Sequence, residues 1–194
     1  MKDIINNIIN IISEDGFQRD EILFEKTSTD KIDKLIALIG NNVSKVIEFY
    51  REYEPVQVPM LPCYLNLLDI DGIIEENTCG EPGMHLAKYG VYTIGVTVGG
   101  NVVCIDTNDV NNGDATVVMF DLNFCYYDDE KEMVRIGYIP SSAMHLFEDV
   151  EDEKTTVFSY ENIKKCAYKI SDSFVEFLEK LSTNHYDDIE ALLD

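Results

Sequence analysis

Apolar residues recur along the first fifty positions with the period of a helix. Ile4, Ile5, Ile8, Ile11 and Ile12 predict a short amphipathic helix over residues 3–13, ended by Gly16. Ile32, Leu35, Ile36 and Ile39 predict a second, with Thr27 or Ser28 as its cap, Asp30 in its first turn and Gly40 as its stop. Val43, Val46, Ile47 and Tyr50 form the stripe of a third, capped by Asn41 or Asn42 and ended by Pro55, which cannot donate to a helix ladder.

Beyond Pro62 the pattern shortens to strands. They are read at 64–70, 91–98, 101–106, 115–121 and 133–139. The stretch 71–83 reads as turn-rich, with one helical turn at Ile73–Asn77. Residues 141–153 start as a short helix and pass into an acidic run at 148–153. Ser173 and Glu176 are spaced as a capping box for a last helix, whose buried stripe is Phe174, Phe177, Leu178 and Leu181. Strands in succession with helices at both ends predict an α+β fold with a largely antiparallel central sheet. A single domain over 1–194 is expected, with 1–27 as a helical extension, 28–181 as core and 182–194 as an acidic tail.

The segment "VGGNVVCIDTNDVNNGD" (98–114) admits three readings. A dinucleotide cradle needs G-x-G-x-x-G opening a helix, and here Gly95, Gly99 and Gly100 have other spacing and precede a strand. An EF-hand frame begun at Asp106 meets Val110 at its fifth position and Val117 at its twelfth, so it fails, which leaves a non-EF cation site from Asp106, Asp109 and Asp114 as the lesser alternative. A hairpin with Gly99-Gly100 as a two-residue turn fits best. It pairs Val96 with Val103 and Ile94 with Ile105, placing all four on one face.

Charge narrows the function. The chain carries 15 Lys+Arg against 37 Asp+Glu, a formal −22. Residues 52–130 hold fourteen acids and a single base, Lys88. Such a surface repels phosphate backbones and anionic lipid, so neither direct nucleic-acid binding nor membrane binding is expected. A basic protein partner is favoured, because opposite fields steer encounter. The five cysteines are odd in number and lack CxxC spacing, which fits reduced thiols in a cytoplasmic protein.

Candidate chemistry is sparse. His85, His145 and His185 lie outside metal-ligand spacings, and no GxSxG elbow occurs. Acid–base pairs chosen among so many carboxylates come close to chance. No catalytic residue, cofactor or resident metal is expected, and a carboxylate- or metal-dependent hydrolase stands as the least favoured alternative. Tyr126 and Tyr127 suit a surface that meets a partner.

Five stretches in order, "VIEFYREYEP" (46–55), "LLDIDGIIEEN" (67–77), "YTIGVTVGGNVVCIDT" (92–107), "TVVMFD" (116–121) and "ISDSFVEFLEKL" (170–181), resemble the SUKH superfamily. That family includes a fungal cell-wall-synthesis regulator and many bacterial immunity proteins. The chain departs from its pattern: "IGNN" stands where the family often has Leu-Pro, Phe120 replaces a common Trp, and the N-terminal helix 3–13 and the acidic segment 148–153 look like additions. The resemblance implies a non-enzymatic binding role, above all neutralisation of a cognate toxin, often a nuclease, by occlusion of its basic cleft. A regulatory or scaffold role toward a cellular protein is the alternative. Local charge and the predicted loops mark Glu75, Glu76, Asp106, Asp109, Asp114 and Asp121 as candidate partner-binding acids.

Overall fold

The computed structural model describes residues 1–147 and 155–193, so the acidic run at 148–153 lies outside the described residues. The chain runs α1 (Lys2–Glu14), β1 (Leu23–Glu25), α2 (Thr29–Ile39), α3 (Ser44–Tyr53), β2 (Glu54–Gln57), β3 (Leu65–Leu67), α4 (Ile70–Thr78), α5 (Gly83–Leu86), β4 (Val91–Thr97), β5 (Val102–Asn111), β6 (Asp114–Phe120), β7 (Cys125–Asp128), β8 (Met133–Ile136), β9 (Thr156–Val157), α6 (Tyr160–Cys166), β10 (Tyr168–Ser171) and α7 (Phe174–Ser182). The architecture is α+β. Its central sheet has five strands in the order β10-β6-β5-β4-β3, flanked by the pair β1-β2 and the triplet β7-β8-β9, and each described pairing is antiparallel.

Alternation along β5 and β6 buries both faces of the central sheet. Val103, Ile105, Ala115, Val117 and Met119 point into one apolar cluster, together with the stripes of α1, α2, α3 and α7. Val102, Cys104, Val118 and Phe120 point into a second, shared with Phe124, Ile136, Phe158 and Ile163. The sheet is therefore the middle of three layers, helices on one side and the small triplet with α6 on the other. The segment read as an N-terminal extension belongs to this core, since Ile8 and Ile12 of α1 are wholly buried.

Several sequence expectations need correction. The cap of α3 is Val43, with no side-chain bond, while Asn42 donates to the Thr107 carbonyl at 2.9 Å. The strand read at 64–70 stops at Leu67, because Asp69 accepts the Gly72 N–H at 2.8 Å and opens the nine-residue α4 where only one helical turn was expected. The Gly-Gly turn spans three residues: Thr97 N–H bonds the Asn101 carbonyl at 2.9 Å, and Gly100 takes φ +88°, which a Cβ would disfavour. That turn pairs Val96 with Val102, so Val96 leaves the face of Val103 and Ile105, and a bulge between Thr93 and Gly95 returns Ile94 to it. The true two-residue turn is the next one, where Asn112 (φ 53°) and Gly113 (φ 78°) join Asn111 to Asp114.

Candidate functional site

That second turn changes the fate of the predicted acids. Residues 106–111 are not a loop but the continuation of β5, bulged between Asp106 and Val110. Asp106 is only 6% exposed. Its carboxylate accepts the Asn108 N–H at 3.0 Å and the Tyr160 hydroxyl at 2.9 Å. Asp114 accepts the Phe174 N–H at 2.8 Å in the first turn of α7, whose cap is Ser173 as the spacing predicts, and the peptide dipoles there favour an anion. Both carboxylates thus serve the fold, and neither is a free acidic edge. Asp109 remains exposed and accepts from the Thr116 hydroxyl at 3.0 Å. Each member of the supposed cation set is drawn to its own donor. Among the described residues no group of three or more His, Cys, Asp and Glu is placed to hold a metal ion.

Glu75 and Glu76 lie on α4, the first exposed and the second half-buried. Burial, and then the neighbouring Glu75 charge, raises the Glu76 carboxyl above its ordinary pKa. Asp121 accepts from the backbone and side chain of Asn123, at 2.7 and 3.0 Å.

Asp121 also has company that sequence reasoning assigned to a tail. It lines a cleft of about 430 Å³ together with Gly99, Tyr138, Asp188 and Glu190. The cleft exists because the C-terminal segment docks on the glycine turn. Ile189 is wholly buried and its N–H reaches the Cys63 carbonyl at 3.2 Å. Glu190 Oε1 then collects the Thr97 hydroxyl at 2.5 Å, the Gly99 N–H at 2.7 Å and the Asn101 amide at 3.4 Å. Asp188 Oδ1 accepts the Glu190 N–H at 2.9 Å. In all three carboxylates the bonds among described residues engage one oxygen, and no described cation pairs with them.

Apolar groups stand beside this negative cleft. Val98 and Leu122 are exposed, and Val98 is joined to the exposed Tyr64 by a backbone bond of 3.0 Å. Like charges in a concavity focus the field, and exposed apolar groups next to them supply the area that association desolvates. The signal for Asp188 and Glu190 was the apolar Ile189 between them, which marks a docked segment. On the triplet sheet Tyr126 and Tyr127 are exposed as expected, and Tyr126 is in register with Arg135 and Val157.

Four of the five thiols are buried or half-buried, and Cys79 is exposed. Burial pushes Cys63 up to about 11, and Cys104, Cys125 and Cys166 up to about 12, opposite to the shift of an activated nucleophile. His85 is buried, with its Nε2 at 3.4 Å from a Glu81 oxygen and its ring 6.2 Å from that of Phe158.

Compared with known proteins, the chain matches no family model, no curated protein and no solved structure. No helix among the described residues is long and apolar enough to cross a membrane.

Proposed function

We propose that the chain is a non-enzymatic protein-binding module for a basic partner, acting as an immunity protein of the SUKH type that occludes a toxin's cationic cleft. The observation that carries this reading is the cleft of Asp121, Asp188 and Glu190, which holds three carboxylates unpaired with any described cation beside exposed Val98 and Leu122. A nuclease must attract phosphate, so its active cleft is basic and complementary to such a surface. Inhibition then comes from charge and shape, with no reaction at this chain. A cytoplasmic location is supported by the five free thiols.

The test is affinity capture from the native cytoplasm, followed by assay of what is captured. A stoichiometric basic protein whose toxic or nuclease activity falls on addition of this chain is the expected result. A captured partner whose activity is unchanged, and whose binding survives charge reversal at Asp121 and Asp188, overturns the reading.

A further inference from the structure

Three exposed apolar side chains are gathered at the turn between β4 and β5. Val98 is 61% exposed, and Tyr64 and Leu122 are each 47% exposed. Val98 donates to the Tyr64 carbonyl at 3.0 Å, and the Leu122 N–H donates to Asn101 Oδ1 at 3.0 Å. The Leu122 side chain lies over Gly100, where an added Cβ would stand 3.6 Å from it. The turn itself is held by Glu190, which accepts from the Thr97 hydroxyl and the Gly99 N–H. The three side chains are therefore in place before any partner arrives, which lowers the ordering cost of association.

Tyr64 is held there against its own preference. Its N–H bonds the Leu61 carbonyl at 2.8 Å, and the Leu61 N–H bonds the Leu65 carbonyl at 2.8 Å. These bonds close a tight turn and set Tyr64 at φ +65°. That left-handed position suits glycine, and a bulky side chain there is strained. The strain does not bury the ring in the core, since Tyr64 stays about half exposed. Strain kept at an exposed aromatic points to a use outside the fold.

The patch is bordered by acid. Leu122 lines the cleft of Asp121, Asp188 and Glu190, and between the last two the Ile189 N–H bonds the Cys63 carbonyl, one residue before Tyr64. A second copy of this chain would bring its own −22 and the same acidic border, so like charge opposes self-association. We infer that Tyr64, Val98 and Leu122 are the apolar anchors of the partner surface. An apolar side chain of the basic partner seats among them, and Lys or Arg beside it meets Asp121, Asp188 and Glu190. A tyrosine at the centre of such a patch is the residue type that carries binding energy. The inference deepens the reading of the chain as a binding module for a basic protein, and rests on it.

The experiment titrates the whole chain with an end-blocked peptide in which Trp and Leu are flanked by Arg, read by fluorescence anisotropy and backbone amide shifts. Saturable binding with shifts centred on Tyr64, Val98 and Leu122 is expected. The peptide with Glu in place of Arg, and the peptide with Ser in place of Trp and Leu, should each bind at least about tenfold more weakly. Tyr64→Gly should weaken binding by about tenfold or more with little change in melting temperature, because glycine accepts the left-handed backbone. Val98→Ser should act in the same direction. A Tyr64 that served only the fold would give the reverse, a lower melting temperature and unaltered binding. That result, no saturable binding, equal binding by the Ser peptide, shifts centred elsewhere, or a homodimer that Val98→Ser dissociates would each overturn the inference. A natural basic partner that binds Tyr64→Gly and Val98→Ser normally but loses affinity for Asp188→Lys overturns the apolar anchors alone and leaves the binding-module reading standing.

Discussion

The Lys31 ammonium lies 2.8 Å from Glu54 Oε1, joining α2 to the start of β2. Glu54 is 3% exposed, and it also accepts the Thr27 hydroxyl at 2.5 Å and the Ile70 N–H at 3.1 Å. Burial alone would raise its pKa, but the bonds from Lys31, Thr27 and Ile70 together hold it below the ordinary carboxylate value. For Lys31, burial opposes the charge most strongly, yet the bonds to Glu54 and Asp71 outweigh it and raise the pKa.

Two pH dependences follow from that pair. The Glu54 contribution to stability is complete above the unfolded carboxylate value of about 4.3 and is lost as pH falls through the lower folded value. The Lys31 contribution is complete below the unfolded value of about 10.4 and is lost as pH rises through the higher folded value. Glu54→Gln should flatten the acid limb of melting temperature against pH, and Lys31→Met should cost about 2 kcal/mol at neutral pH in urea unfolding. An unaltered acid limb in Glu54→Gln would show that other carboxylates set it.

The Glu190 carboxylate on the glycine turn gives a second prediction. A Cβ on Gly99 would overlap Glu190 Oε1, a flexible side-chain end that can swing away. Gly99→Ala should therefore cost the docking bond, about 1 kcal/mol, without breaking the turn. Glu190→Ala should cost a similar amount. The double variant should be no worse than Glu190→Ala, a coupling that a double-mutant cycle measures directly.

The predicted acids separate into structural and surface groups. Asp114→Ala should destabilise by about 1 kcal/mol, through loss of the hydrogen bond that holds the first N–H of α7. Asp121→Lys should cost no more than its bonds to Asn123, about 1 kcal/mol, and slow association with the basic partner, chiefly at low salt, because a rim charge acts on encounter. Stopped-flow association at two ionic strengths distinguishes the cases.

Cys79 is exposed, whereas Cys63, Cys104 and Cys166 are buried and Cys125 is half-buried. At pH 8 a thiol reagent should label Cys79 quickly and the other four slowly, with all five reacting in denaturant. Peptide mapping after brief labelling checks the site. Fast labelling of Cys104 would mean that the sheet opens locally.

What the sequence makes legible follows from the range of each interaction. Helices α1, α2, α3 and α7 show in the sequence because their stripes are local and long. Helix α4 hides because Asp69 and Gly72 favour turns, and the same Asp serves equally well as a helix cap. Strands β1, β2 and β10 are too short to alternate visibly, and β10 finds its partner about fifty residues upstream. The acids fail for a related reason. Charge density marks Asp114 and Asp121 alike, but the amide that engages Asp114 belongs to Phe174, sixty residues away. Asn112-Gly113 is legible in principle, since Asn-Gly is the stronger two-residue turn signal, but Gly99-Gly100, which forms a three-residue turn, carries a similar signal.

The place of β10 beside β6 has a consequence for synthesis. Chain emerging from the ribosome can pair β3 through β6 in sequence, because each strand lies next to the one made before it. The outer edge of β6 must then wait for residues 168–171, and the cover that α1, α2 and α3 give to Val117 and Met119 is completed only by α7. During that interval a bare edge and a partly covered apolar face are presented together, which is the condition that invites strand-to-strand misassociation. Nascent chains stalled before Tyr168 should accordingly recruit chaperones that chains stalled well beyond α7 no longer need.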